Sequence, residues 1–160
     1  MERVLRDALK NGKFTNVTPV RSATMSRVRG SGNRTTELRL RSSLVRNGIS
    51  GWNIQVRNLP GKPDFYFRKA RVAVFVDGCF WHACRRCGHV PKNNQQFWKL
   101  KFNRNRQRAQ RVSKELSTLG IKPMRFWEHD IVDHLGRVVL MIKNQVAERS
   151  KQGRSKSAAR

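Results

Sequence analysis

A chain of 160 residues is long enough for one domain with a real hydrophobic core and too short for two of ordinary size. Its 35 lysines and arginines against 10 acidic residues leave a net charge of +25, a self-repulsion that a bound polyanion relieves, so nucleic acid is the expected partner ahead of an anionic membrane or an inert basic surface. No apolar run reaches membrane-spanning length and MERVLRDALKNGK lacks the apolar core of a secretion signal, so an intracellular protein with no membrane partner is expected.

Residues 1–32 are rich in basic side chains, end in Gly30 and Gly32, and show weak periodicity in MERVLRDALK and SATMSRVRG. They read as a basic arm facing the nucleic acid, with room for one short helix. From Thr35 or Thr36, either a good N-cap, TTELRLRSSLVRNG places Leu38, Val45 and neighbouring Leu44 near one helical face, and Gly48 suits the C′ position. Three strands follow: WNIQV, then after the turn LPGKP the runs DFYF and RVAVFV. The last is apolar almost throughout, as a central strand covered on both faces would be.

DGCFWHACRRCGHVPK is aperiodic and reads as a loop. Asn93 or Asn94 can cap a long helix to about Leu119, because Trp98, Phe102, Ala109, Val112, Leu116 and Leu119 recur at helical spacing and Gly120 ends it. A strand IKPMRFWE comes next. DIVDHLGRVVLMIKNQVAER then sets Val132, Leu135, Val139, Ile142 and Val146 on one stripe of a final helix, weakened in its first turns by Gly136. SKQGRSKSAAR reads as a solvated basic tail, giving an arm (1–32), a folded domain (33–148) and a disordered tail (149–160). The order helix, three strands, long helix, strand, helix describes an α/β layer with a mixed sheet.

Two constellations carry chemistry. A carboxylate fixed at a strand start can hold a hard divalent cation near a phosphodiester, and Pro63-Asp64 meets that need. The next strand returns to Asp77, thirteen residues later, as a second oxygen source, although a Pro-Asp pair alone is as well explained by an ordinary turn. The second constellation is Cys79-x4-Cys84-x2-Cys87, an odd, clustered set that points to metal rather than disulfide, with free thiols and a redox pair as the bland alternatives. Tetrahedral zinc needs a fourth ligand, for which His82, His89, His129 and His134 compete; His89 is near in sequence, and His129 follows a strand that can return to this loop.

The run VFVDGCFWHACRRC, preceded by LPGKPDFYF and followed by PKNNQQFWKLKFNRN and RFWEHD, resembles the very-short-patch-repair (Vsr) mismatch endonucleases from about Arg21 to Asp130. The resemblance implies a restriction-endonuclease-like, three-layer α/β fold and an enzyme that nicks one strand of double-stranded DNA beside a T:G mismatch. It would use catalytic Mg²⁺ and structural Zn²⁺, working as a monomer in the bacterial cytoplasm at the nucleoid, with room for mismatch-repair accessory proteins. It makes Asp64 the Mg²⁺ ligand with the Val76 carbonyl beside it, His82 the group assisting proton transfer, and Glu37 a carboxylate near the metal. Asp77 departs from the family's histidine, so its role is open between metal ligand and positioner of water. Cys79, Cys84 and Cys87 fit the zinc loop with one residue of shifted spacing, and His129 stands where the family has a cysteine, which favours it over His89. Phe80, Trp81 and Trp98 match aromatics wedged into the duplex, although spacing alone would place them in the core. Lys99, Lys101, Arg104, Arg106, Arg108 and Arg111 follow along the helix, and some of them, Lys99 and Arg104 with Lys62 on the turn included, are expected to reach phosphates; a solvated basic face is the usual reading of such charges. A Vsr-like restriction or homing nuclease cutting unmispaired DNA, or a non-catalytic zinc DNA-binding module, are the competing readings.

Overall fold

The computed structural model describes residues 3–15, 17–20, 34–54 and 56–158, side chains at 34–35 and beyond 152 excepted. Its elements are α1 (Arg3–Asp7), a 3₁₀ turn (Lys10–Gly12), α2 (Arg34–Arg46), β1 (Trp52–Ile54), β2 (Phe65–Phe67), β3 (Val72–Asp77), α3 (Gln95–Thr118), β4 (Lys122–Trp127), α4 (Glu128–Asp133) and α5 (Leu135–Ala158). They fall into two compact units: the described part of 1–33 with Gly78–Arg108, and Arg34–Asp77 with Ala109–Arg160. No helix among the described residues is long and apolar enough to cross a membrane.

In the second unit the four strands run in the order β1-β2-β3-β4. The first two pairings are antiparallel and β3 pairs β4 in parallel, so the sheet is mixed as expected. Alternation along the strands sorts side chains to two faces. Phe65, Phe67, Val72, Val74 and Phe126 pack with Leu40 and Leu44 of α2 and with Val138, Val139 and Ile142 of α5. Ala73 and Phe75 pack on the opposite side with Val112 and Leu116 of α3 and with Ile121. This is the three-layer α/β arrangement, with β3 buried on both faces over its first four residues.

Some expectations require correction. The core face of α2 is Leu40 and Leu44, both fully buried, while Leu38 and Val45 are more than half exposed. The seven-residue step from 38 to 45 marks one stripe, and Leu44 lies off it, so the apolar residue on the correct side decided the packing. Leu119 and Val132 are also exposed rather than on their helices' buried stripes. The final helix is two: α4 stops at Asp133, where His134 leaves helical geometry at φ −133°, and α5 begins at Leu135, with Gly136 in its first turn. Residues 149–158, expected as a disordered tail, continue α5. Arg149 explains part of this, its guanidinium donating to the carbonyls of Ala70 at 3.2 Å and Gly120 at 2.6 Å.

The first unit has a small core in which Leu5 and Leu9 pack with Phe97, flanked by Trp98 and Leu100. Asn94 ties the N-terminal segment to the start of α3: its Nδ2 donates to the Thr15 carbonyl at 3.1 Å, and its Oδ1 accepts from the Thr15 amide at 3.3 Å. The arm read from sequence thus begins as a docked helix with Arg3, Arg6, Lys10 and Lys13 exposed. Its remainder, 21–32, lies outside the described residues.

Candidate active site and metal centre

The carboxylate site belongs to the second unit. A turn closed by the Lys62 amide donating to the Leu59 carbonyl at 3.2 Å delivers buried Pro63, then Asp64, to the start of β2. The antiparallel register Phe65↔Val74 then brings Asp64 beside the end of β3. There the Val76 amide donates to Asp64 Oδ2 at 2.7 Å. Glu37, in the first turn of α2, hydrogen-bonds the same carboxyl. Burial pushes the Asp64 carboxyl up from 3.8 to about 7; the Val76 amide pulls it down, and the charges of Glu37 and Asp77 with the Glu37 hydrogen bond add to the rise. Asp64, with the Glu37 carboxyl hydrogen-bonded to it and the Asp77 charge nearby, forms an acidic oxygen donor set. A hard divalent cation such as Mg²⁺ fits that set.

Asp77 is engaged differently from a free metal oxygen. Arg125 Nε donates to its Oδ2 at 2.7 Å and Arg125 Nη2 to its Oδ1. The guanidinium carbon lies 4.6 Å from the centre of the Phe75 ring. Sequence reasoning missed Arg125, although a lone cation within the apolar strand PMRFW was a visible signal.

The cysteine loop belongs to the first unit. It is wound tightly: the His82 amide donates to the Gly78 carbonyl at 3.2 Å, Cys84 to Cys79 at 2.9 Å and Gly88 to Cys84 at 2.8 Å. A Cβ at Gly88 would sit 2.5 Å from the Cys84 carbonyl oxygen, so only glycine permits this approach. The sulfurs of Cys79, Cys84 and Cys87 come within 4.8 Å of one another. Burial opposes ionisation of the Cys84 thiol, yet its pKa falls below the ordinary value because the amides of Cys87 and Arg86 and the neighbouring thiols of Cys87 and Cys79 hydrogen-bond the sulfur. With the imidazole of His129 the chain possesses a three-cysteine, one-histidine set that could hold a metal, and that donor chemistry matches zinc. His89 is exposed, with its ring 5.6 Å from Phe80.

Phe80, Trp81 and Trp98 form one partly exposed aromatic group in this unit. Ring centres are 5.2 Å apart for Phe80–Trp81 and for Phe80–Trp98, and 6.3 Å for Trp81–Trp98. Buried Phe102 backs the group at 5.3 Å from Phe80, and Asn105 Nδ2 holds the Trp81 carbonyl at 2.8 Å, supports that sequence reasoning did not single out. His82 is half-buried in the same loop, Arg104 half-buried on α3, and Lys99 and Lys62 exposed.

A mixed-sheet α/β protein carrying a Pro-Asp carboxylate at a strand start and a cysteine loop after the central strand has the make-up of a metal-dependent nuclease. The model of the family DNA mismatch endonuclease Vsr matches residues 13–88. The type II nicking enzyme V.NaeI of Lentzea aerocolonigenes is 37% identical over 69% of this chain and 68% of its own length. V.XorIIP of Xanthomonas oryzae pv. oryzae, also a type II nicking enzyme, is 35% identical over 75% of this chain and 87% of its own. The DNA mismatch endonuclease Vsr of Escherichia coli is 36% identical over 58% and 59%. The chain belongs to the Vsr family: it is a DNA endonuclease with a restriction-endonuclease-like fold.

Proposed function

We propose that this endonuclease nicks one strand of duplex DNA beside a T:G mismatch, as very short patch repair requires, acting as a monomer in the bacterial cytoplasm with accessory repair proteins as later partners. The observation that carries the nuclease chemistry is the Asp64 site, where burial first, and then the charges of Glu37 and Asp77 with the Glu37 hydrogen bond, raise the Asp64 carboxyl to about 7. Asp64, with the Val76 carbonyl beside it, would hold Mg²⁺, and Glu37 would complete the outer oxygen set. When bound, the cation supplies neutralisation of the phosphate and a lowered pKa for the attacking water. His82 is assigned the proton transfer, a role suited to imidazole near neutral pH. Phe80, Trp81 and Trp98 are assigned the opening of the mispaired step, supported by their shared, partly exposed surface. Lys62, Lys99 and Arg104 are assigned phosphate contacts.

Zinc is assigned to Cys79, Cys84, Cys87 and His129. The parallel register Asp77↔Trp127 ends β3 and β4 side by side, and each strand is followed two residues later by a ligand, Cys79 and His129. Asp130 Oδ1 lies 3.4 Å from His129 Nε2, the outer carboxylate that commonly fixes a ligating histidine's ring. A second reading is a Vsr-like nuclease that cuts unmispaired DNA, and relatives named type II nicking enzymes agree with either. Incubation with Mg²⁺ and duplexes that differ only by a T:G pair, across randomised flanks, separates the two. Nicking confined to the mispaired duplex supports the repair reading, and equal nicking of both supports the second.

A further inference from the structure

Arg125 is a cation placed where an apolar residue would serve the fold better. It faces Phe75 across the parallel β3–β4 register and lies on the same sheet face as Asp77, two residues further along β3. Asp77 adjoins the Asp64 site, since Asp64 Oδ2 accepts at 2.7 Å from the amide of Val76, the residue before Asp77. Removing two charges from water for an ion pair is costly, and an apolar pair of similar volume is often as stable or more so. The pair therefore calls for a reason beyond stability.

Its geometry supplies one. Nε and Nη2 of the guanidinium are bound to the two oxygens of Asp77, and the plane lies against Phe75. A guanidinium has five N–H donors, so this fork uses one from each of these nitrogens and leaves the Nη1 edge uncommitted. The Arg125 side chain is 24% exposed, against 12% for Asp77, so part of it is open to a solute. A cation clamped on two sides, with a donor edge open beside a metal-type carboxylate group, is preorganised for a phosphate.

We propose that Arg125 is a catalytic residue that contacts the scissile phosphate and stabilises the negative charge that grows on it, with Asp77 as the positioning residue that aims it. This rests on the endonuclease reading of the Asp64 site. It also gives Asp77, which stands where the resembled family has histidine, a role that is neither metal ligand nor water positioner.

The test is single-turnover nicking of a cleavable duplex at saturating DNA and Mg²⁺, alongside DNA affinity and melting temperature. Arg125→Gln should slow nicking roughly 10²–10³-fold, the loss typical of removing one preorganised donor at a developing oxyanion. DNA affinity should stay within about threefold, because many other cations carry it. Asp77→Asn should slow nicking less, and the double variant should be no slower than Arg125→Gln alone, since a positioning residue has nothing left to aim. Arg125→Lys keeps the charge and a stem over Phe75, loses the fork, and should fall between wild type and Arg125→Gln; if Arg125→Gln does not fold, this variant carries the test. A folded Arg125→Gln or Arg125→Lys that nicks at the wild-type rate overturns the proposal. So does a rate loss that only tracks lost affinity or melting temperature. Asp64→Asn is the control: if it nicks like wild type, the endonuclease reading of the site fails and takes the proposal with it, whereas a dead Asp64→Asn beside a fully active Arg125→Gln removes the proposal alone.

Discussion

The two units of this protein are built on different physics. The sheet unit buries aliphatic and aromatic side chains on both faces of β3, including Leu40, Leu44, Val72, Val74, Leu116 and Ile142 at full burial. Each such side chain contributes about 1.5–3 kcal/mol by leaving water. The loop unit has Leu5, Leu9 and Phe97 as its buried cluster, then a set of partly exposed aromatics and three thiols. Its polar loop, wound around Cys79, Cys84 and Gly88, has little apolar area to hold it. The comparison teaches that the carboxylate site rests on a large apolar core, whereas the cysteine loop has a donor set that could hold a metal in place of such a core, and the metal dependence of each unit's order is what separates them experimentally.

The largest effect should come from the sheet unit's chemistry. Asp64→Asn removes a metal-binding charge and keeps shape, so strand cleavage in Mg²⁺ should fall by at least about 10³-fold, several kcal/mol of barrier, while DNA binding is nearly intact. Gel-based nicking and a binding titration check it together; cleavage at wild-type rates would sink the site assignment. Next in size is zinc. Elemental analysis should find one equivalent, and a strong chelator should abolish the near-ultraviolet signal of the loop unit's Trp81 and Trp98 before the helical signal of the sheet unit is lost, because binding of a structural metal is part of folding free energy. A metal-free protein with an unchanged melting curve and intact tryptophan signal would erase the contrast between the units. His129→Ala should lose the zinc and His89→Ala should keep it; the reverse moves the fourth ligand to His89.

A smaller effect is expected for discrimination. Replacing both Phe80 and Trp81 with alanine removes aromatic stacking worth on the order of 1–3 kcal/mol per base, so the preference for mispaired over paired duplex should collapse by roughly 10- to 100-fold. Binding to paired DNA should change little and keep its steep salt dependence. If the folded double variant retains the wild-type preference, recognition lies elsewhere. Unfolding would instead mean that the group is core, and Phe102, buried behind Phe80, makes that outcome concrete.

Strand identity, the mixed sheet and the long helix were legible because continuous apolar runs and helical apolar patterns report burial directly, as in RVAVFV and the Phe102–Val112–Leu116 stripe. Burial by itself misled for Leu38 and Val45, since a marginally amphipathic helix such as α2 offers more than one apolar stripe and tertiary packing chooses. The pairing of Asp64 with Glu37 was legible only through family resemblance: 27 residues separate them, and a lone glutamate in an arginine-rich helix reads as solvated. The ion pair of Asp77 with Arg125 joins residues 48 apart through a parallel register, which local pattern does not encode. The continuation of α5 past Arg149 likewise depends on the carbonyls of Ala70 and Gly120, acceptors distant in sequence.

The smallest predicted effect tests whether the sheet unit's stability carries the cost of its site. Asp64 titrates near 7 in the folded protein against 3.8 when unperturbed, first because it is buried and then because Glu37 and Asp77 are close. Between these values the folded chain holds a proton that the unfolded chain releases, so stability falls as pH rises. The favourable contribution is complete below 3.8 and gone once pH passes about 7. The slope cannot exceed about 1.4 kcal/mol per pH unit for one proton. Asp64→Asn has no such proton, so in Mg²⁺-free buffer the stability difference between variant and wild type, measured by urea unfolding from pH 5.5 to 7.5 with zinc retained, should grow in the variant's favour. Mg²⁺ selects the ionised carboxylate and should remove most of the wild-type loss, with an affinity that rises as pH approaches 7 and then levels. Curves that run parallel across the window would show that Asp64 is already ionised in the metal-free protein, and the contrast of a large apolar core bearing a strained site would have to be given up.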